Sequence, residues 1–230
     1  MSNSTVVPMP TLLDREGLPK PTVMPLGDAA VLLRFGAALS DGANRAAIAF
    51  AAELDRQPVA GMLEVAPNLV SVLVRYDPLV TSFGAMAGEL RLRLSTPARA
   101  AVEGETWAIP IEFDGLDLDE VAAELGLTRA AFSGAHNAQP LRVLATGFAP
   151  GFVYCGLHPD TLTLPRRAAV RPAVSPGTVL FAAGQTAITA TEMPTGWHII
   201  GHTAFNNFDA EASQPTRLKA GDLVRFTVQP

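Results

Sequence analysis

Pro176-Gly-Thr-Val-Leu-Phe-Ala-Ala-Gly-Gln-Thr-Ala-Ile-Thr-Ala190 holds two short apolar runs, 178–182 and 187–190, set between turns rich in glycine and proline. Runs of four or five residues bounded by such turns suit strands rather than helices, which need ten or more residues to bury a face. Working outward, residues 141–146, 197–200 and 223–228 show the same texture. Many short strands with tight turns predict a closed or sandwiched β architecture for the C-terminal half. One helix is expected at 117–125, where Asp117 and Glu120 form a capping box and Gly126 a stop, and Thr128 opens another short one.

Upstream the periodicity changes. Residues 29–35 form an apolar strand, and Ser40 or Asp41 caps a helix running to about Gln57, with Ala43, Ala47, Phe50, Ala51 and Leu54 on one face. Strands at 62–66 and 69–76 flank the Pro67-Asn68 turn, and Asp77-Pro78 ends the second. A second helix covers 82–94 with Phe83, Met86, Ala87 and Leu90 inward, and 106–113 is extended again. The order βαββαβ is that of a ferredoxin-like α+β domain, whose last strand either closes it or opens the next domain. The expected organisation is an irregular lead-in over 1–22, the α+β domain over 23–105 and a β domain over 106–230.

Composition narrows the function classes. The chain has 230 residues, 48% of them hydrophobic, and a formal net charge of -5. Without a cluster of Lys or Arg, nucleic acids and anionic membranes are poor partners, which leaves small molecules and proteins. The single cysteine, Cys155, can form no internal disulfide, and no cysteine pair offers a structural zinc site; a reducing cytoplasm fits. The first thirteen residues lack the basic start and apolar run of a secretory signal. The uncharged stretch 172–191 is broken by Pro172, Pro176, Gly177 and Gly184, so a β-rich region explains it better than a membrane span.

The chemistry concentrates between His136 and Thr203. Thr146-Gly-Phe-Ala-Pro-Gly-Phe-Val-Tyr154 follows a strand; its glycines expose backbone, and Phe148, Phe152 and Tyr154 supply either apolar walls or core. Arg166, Arg167 and Arg171 sit near proline-fixed turns, and a guanidinium fork suits a carboxylate or phosphate, though a solvated surface role is the ordinary one. His198 and His202 are four apart, but no acidic third ligand is placed beside them, so no metal is expected. Cys155 would attack a carbonyl only if His136 or His158 lowered its pKa; packing is the plainer reading. No Gly-x-x-x-x-Gly-Lys-Ser/Thr loop marks a nucleotide site.

Taken in order, Gly147-Phe-Ala-Pro-Gly-Phe-Val-Tyr154, Pro165-Arg166, Gly184-Gln-Thr186 and Glu192-Met-Pro-Thr-Gly-Trp-His-Ile-Ile-Gly-His-Thr203 resemble the family that includes KipI, the 5-oxoprolinase B subunit and allophanate hydrolase subunit 1, the carboxyltransferase domain, subdomains C and D. Gly27-Asp28, Tyr76-Asp77-Pro78, His136 and Gly221-Asp222 extend the resemblance over most of the chain. It implies a ferredoxin-like domain followed by a cyclophilin-like β-barrel. It also implies a protein that works with 5-oxoprolinase subunits A and C, the latter resembling allophanate hydrolase subunit 2, to open 5-oxo-L-proline to L-glutamate with ATP used by the complex. Carried over by position, His136 would be a proton carrier and Arg171 a carboxylate holder. Phe148, Pro150, Gly151, Phe152, Tyr154, Arg166, Gln185, Glu192, Trp197 and His202 would line the substrate pocket, with Gly196 in support.

The chain departs from the family pattern at several of these positions. The family usually has Tyr where Leu141 stands, Leu at Cys155, Pro at Val170, Pro-Ala-Gly at Ser175-Pro176-Gly177, Gly at Thr195 and Arg at His202. Losing an arginine at 202 weakens anion binding there. The resemblance also carries two other functions, inhibition of a sensor histidine kinase and a part in urea or allophanate metabolism, and one fold can serve all three.

Overall fold

The computed structural model describes residues 20–95 and 104–228. The described residues fall into two compact units, one within 1–102 and one within 103–230, and nearly all of the lead-in expected over 1–22 lies outside the described residues.

The first unit contains β1 (Thr22–Pro25), β2 (Ala30–Arg34), α1 (Asp41–Arg56), β3 (Met62–Pro67), β4 (Ser71–Tyr76) and α2 (Phe83–Ser95). Its strands form one antiparallel sheet in the order β1-β2-β4-β3. Ser40 caps α1 as expected: its hydroxyl accepts from the Ala43 N–H at 3.3 Å, satisfying a donor that the first helical turn leaves without a partner. Ala43, Ala47, Phe50, Ala51 and Leu54 are all buried, and Phe50 packs on Phe35 with ring centroids 5.7 Å apart. Met86, Ala87 and Leu90 of α2 are buried likewise.

The βαββαβ order does not hold within this unit, whose described elements run ββαββα. The expected sixth element, now β5 (Thr106–Ile111), pairs in the second unit, and the sheet edge beside β2 is taken by β1. Prolines at 21 and 25 disguise β1 in the sequence. An edge strand tolerates them because one row of its backbone groups faces no neighbour.

After β5 the second unit adds α3 (Leu118–Glu124), α4 (Arg129–His136), β6 (Leu141–Thr146), β7 (Val153–Gly156), β8 (Arg171–Val174), β9 (Thr178–Ala182), β10 (Gln185–Ile188), β11 (Met193–Thr195), β12 (His198–His202) and β13 (Leu223–Val228). Seven strands form a sheet in the order β12-β9-β10-β7-β6-β13-β5, while β11 and β8 make a separate ribbon. The sheet curls until its two edges touch: Glu112 and His202 exchange backbone hydrogen bonds, each 2.9 Å. Gly201 makes this seam possible, because a methyl group there would overlap the Glu112 carbonyl oxygen.

Both faces of the sheet are covered. Val179, Phe181, Val153, Cys155, Ile188 and Ile200 point into a core shared with Leu118, Val121 and Phe132 of the helices. Leu180, Ala182 and Ala187 alternate onto the other face, with Phe152, Trp197, Ile199, Val174 and Met193. Burial on both sides is why β9 reads as an unbroken apolar run. Among the described residues no helix is long and apolar enough to cross a membrane.

The capping box expected at Asp117 is absent: that carboxylate makes no cap hydrogen bond. Stronger partners take it instead. Arg171 donates to both of its oxygens at 2.7 Å, Arg167 donates at 2.8 Å, and the Ile199 N–H donates at 2.7 Å.

Candidate functional site

The turn from β6 into β7 sets the first wall of the site. Gly147 and Gly151 take φ values of 115° and 70°, and Phe148 between them takes 83°, a conformation that costs a non-glycine residue free energy. Phe148 is 76% exposed. The turn is braced by Asn207, whose side chain donates to the Gly151 carbonyl at 2.9 Å and accepts from the Leu218 N–H at 2.8 Å. Nothing local in the sequence marks Asn207, because its role depends on two segments distant from each other.

From this turn an aromatic chain crosses the sheet. Phe148 and Phe152 lie 5.8 Å apart between centroids, Phe152 and Tyr154 4.8 Å, and Tyr154 and Trp197 6.0 Å, all edge to face. The Arg166 guanidinium lies 5.7 Å from the Trp197 ring centroid. Burial pushes the Tyr154 phenol up from its ordinary pKa, and the charge of Arg166 opposes this. Arg166 is exposed, and among the described residues no carboxylate pairs with it.

The face beneath the aromatic chain is packed: Leu180, Ala182 and Ala187 of β9 and β10 are fully buried against Phe152, Trp197 and Ile199. Gln185 stands opposite Ala182 on β9, and Ala187 stands opposite both Leu180 and Tyr154. Directly paired residues share a face, so Gln185 belongs to the aromatic side. It is 7% exposed, and its side-chain carbonyl Oε1 is buried without a hydrogen-bond partner. A buried acceptor left in that state costs about 1–3 kcal/mol. The Thr195 hydroxyl accepts from the Trp197 backbone N–H at 3.1 Å, which fixes the chain between β11 and β12.

Phe148, Pro150, Gly151, Phe152, Tyr154, Arg166, Gln185 and Trp197 are thus gathered at one turn and one face. Four other expected residues lie elsewhere. Glu192 is exposed just before β11. His202 sits at the barrel seam, its Nδ1 2.9 Å from Asp114 Oδ1. Arg171, expected to hold a substrate carboxylate, has its fork closed on Asp117. Burial raises the Asp117 carboxyl, but the hydrogen bonds from Arg171 and Ile199 and the charges of Arg171 and Arg167 hold it below the usual range.

His136 lies on the opposite face, inside the core. Its ring is surrounded by Phe113, Phe132, Phe181, Phe226 and His158. Burial pushes its pKa down to about 4; burial and the nearby His136 push His158 down to about 3. With both rings neutral the hydrogen bonds have one consistent direction. His136 Nδ1–H donates to Asn137 Oδ1 at 2.6 Å, the Thr186 hydroxyl donates to His136 Nε2 at 2.8 Å, and His158 Nε2–H donates to Thr186 Oγ1 at 2.8 Å. Cys155 is fully buried, and its thiol is pushed up to about 12, so it packs as a small apolar group rather than a thiolate. Among the described residues no group of three or more His, Cys, Asp or Glu clusters as metal ligands would, and His198 Nε2 donates to the Pro165 carbonyl at 3.1 Å.

Residues 21–218 match the family described as Carboxyltransferase domain, subdomain C and D. The chain is 31% identical to the 5-oxoprolinase B subunit of Bacillus subtilis (strain 168) over 215 residues, covering 87% of this chain and 90% of that protein. It is 30% identical to the 5-oxoprolinase B subunit of Haemophilus influenzae, covering 90% and 97%. The crystal structure of TTHA0988 aligns with a TM-score of 0.78 at 36% identity, over 87% of this chain and 40% of the longer TTHA0988 chain. With its motifs in the family's order along nearly its whole length, the chain belongs to the Carboxyltransferase domain, subdomain C and D, family.

Proposed function

We propose that the chain is the B subunit of an ATP-dependent 5-oxoprolinase and opens 5-oxo-L-proline to L-glutamate together with partner subunits A and C. The observation that carries this reading is the similarity to the 5-oxoprolinase B subunit of Bacillus subtilis, which runs through nearly the whole of both chains. In the same reading the curled sheet is a cyclophilin-like barrel and the first unit a variant of the ferredoxin-like arrangement, with β1 standing where a later strand usually does.

The chemistry asks for a site like the aromatic face. A lactam is a poor electrophile, and ATP supplies the means of turning its oxygen into a leaving group. The chain's own part is to bind and orient the ring and to exclude water from it, which the aromatic side chains gathered from the β6–β7 turn to Trp197 support. His136 and Arg171 then serve the frame: one holds the buried hydrogen-bond chain at Thr186, the other anchors β8 to Asp117.

The test is co-expression of a tagged chain with its cognate A and C subunits. Copurification and ATP-dependent release of glutamate from 5-oxo-L-proline are expected. A folded, fully assembled complex that releases none, or that consumes allophanate instead, overturns the assignment.

A further inference from the structure

A cavity of about 310 Å³ opens where β5 and β13 begin, lined among the described residues by Gly104, Glu105, Arg217, Lys219 and Asp222. Small-molecule sites span roughly 300–1,000 Å³, and none of these five residues belongs to the aromatic face. Asp222 builds the pocket. Its carboxylate accepts from the Glu105 N–H at 3.0 Å, the Lys219 N–H at 2.9 Å and the Trp107 indole N–H at 3.2 Å, so both of its oxygens are occupied. A methyl group on Gly104 would overlap Asp222 Oδ1, so glycine is what lets the chain pass this close. Arg217 is held in place as well: its guanidinium lies 5.3 Å from the Phe205 ring centroid and 5.7 Å from that of Trp107.

Three charged side chains of this pocket have no opposite charge. Glu105, Arg217 and Lys219 are exposed, and no ion pair among the described residues includes any of them, although both signs line one cavity. A wholly anionic ligand would meet two carboxylates there, Glu105 and Asp222, and a wholly cationic one would meet Arg217 and Lys219. A ligand that carries both signs gives each free group a charge-assisted partner.

We propose that the pocket between Glu105, Arg217 and Lys219 is a second ligand site that binds an acidic α-amino acid. Glu105 takes the α-ammonium group, and Arg217 and Lys219 take the two carboxylates. The choice of L-glutamate as the probe rests on the 5-oxoprolinase reading, in which it is the product, and the site then senses the product away from the aromatic face.

The experiment is isothermal titration of the full chain with L-glutamate, with glutarate, which keeps both carboxylates but lacks the ammonium group, and with inorganic phosphate. Wild type is expected to bind L-glutamate at least about tenfold tighter than glutarate, the size of one charge-assisted contact, and to bind phosphate more weakly than either. In Lys219→Gln both dicarboxylates weaken by about tenfold and the preference for L-glutamate survives. In Glu105→Gln the preference collapses toward unity. Equal urea midpoints for the two variants and wild type show that the fold is intact, and a merely structural role for Glu105 would weaken both dicarboxylates alike and keep the preference. L-Glutamate held as product on the aromatic face is insensitive to both substitutions. The proposal is therefore overturned if neither variant changes L-glutamate binding, if Glu105→Gln keeps the wild-type preference, if phosphate binds more tightly than L-glutamate, or if wild type binds none of the three. If the assembled complex releases glutamate but the titrations give one of these results, the pocket is wrong and the activity stands; if the titrations behave as expected and no glutamate forms, the activity is wrong and the pocket stands.

Discussion

Replacing Asp117 by alanine removes the shared partner of Arg167, Arg171 and the Ile199 N–H at once. Two guanidinium groups would remain, each about three-quarters covered. Breaking a buried pair from one side is costly, and a loss of about 3 kcal/mol in unfolding free energy is expected by urea denaturation. Arg166→Ala, at an exposed position with no ion pair among the described residues, should change stability by no more than about 0.5 kcal/mol. The contrast separates the arginine that holds the fold from the exposed one that makes no ion pair among the described residues. The histidine chain adds a pH dependence. Unfolded imidazoles titrate near 6.5, whereas folded His136 titrates near 4 and His158 near 3. Between these values the unfolded chain binds more protons, so stability is complete above pH 6.5 and falls as pH falls through the window. His136 alone accounts for about 3 kcal/mol of that loss. Urea unfolding at pH 7.5 and pH 4.5 checks this, and equal midpoints would contradict it. Asp117 acts in a lower window: its depressed pKa gives stability that is present above its ordinary value of 3.8 and lost only below it.

At the scale of elements, the seam between β5 and β12 makes a sharp prediction. Gly201→Ala drives a methyl group into the Glu112 carbonyl oxygen and should cost about 3 kcal/mol, within the range for overpacking a closed site. Gly88→Ala in α2, where an added Cβ meets nothing within 4 Å, should be neutral or slightly stabilising because alanine favours a helix. Thermal unfolding of the two variants distinguishes a steric seam from a general intolerance of the fold. The same elements show how far the sequence could be read. α1 was legible because Ser40 as a cap and a 3.6-residue apolar period coincide, 178–182 because turns bound it on both sides, and 223–228 because Gly221-Asp222 precede an apolar run. β1, β8 and β11 were not. They are three or four residues long, carry proline, and exist because a neighbouring strand supplies their hydrogen bonds. At the site, the aromatics of 148–154 were legible as a group, since glycine, proline and aromatic residues stand together, whereas Trp197 joined them only through the family resemblance. Which arginine was free was not legible. Arg166 and Arg171 look alike until the fold brings Asp117 to one of them across 54 positions.

For the whole molecule, the family match over residues 21–218 takes in both units, and the proposed activity is a property of a complex. On the proposed reading the aromatic face holds the lactam ring and the remaining chemistry falls to the partners. The most direct measurement is glutamate release from 5-oxo-L-proline and ATP by the cognate A and C subunits, with this chain present and with it omitted. ATP-dependent release that appears only when the chain is present is the predicted result. Equal release with and without the chain, or no release from a folded complex containing it, would contradict the account.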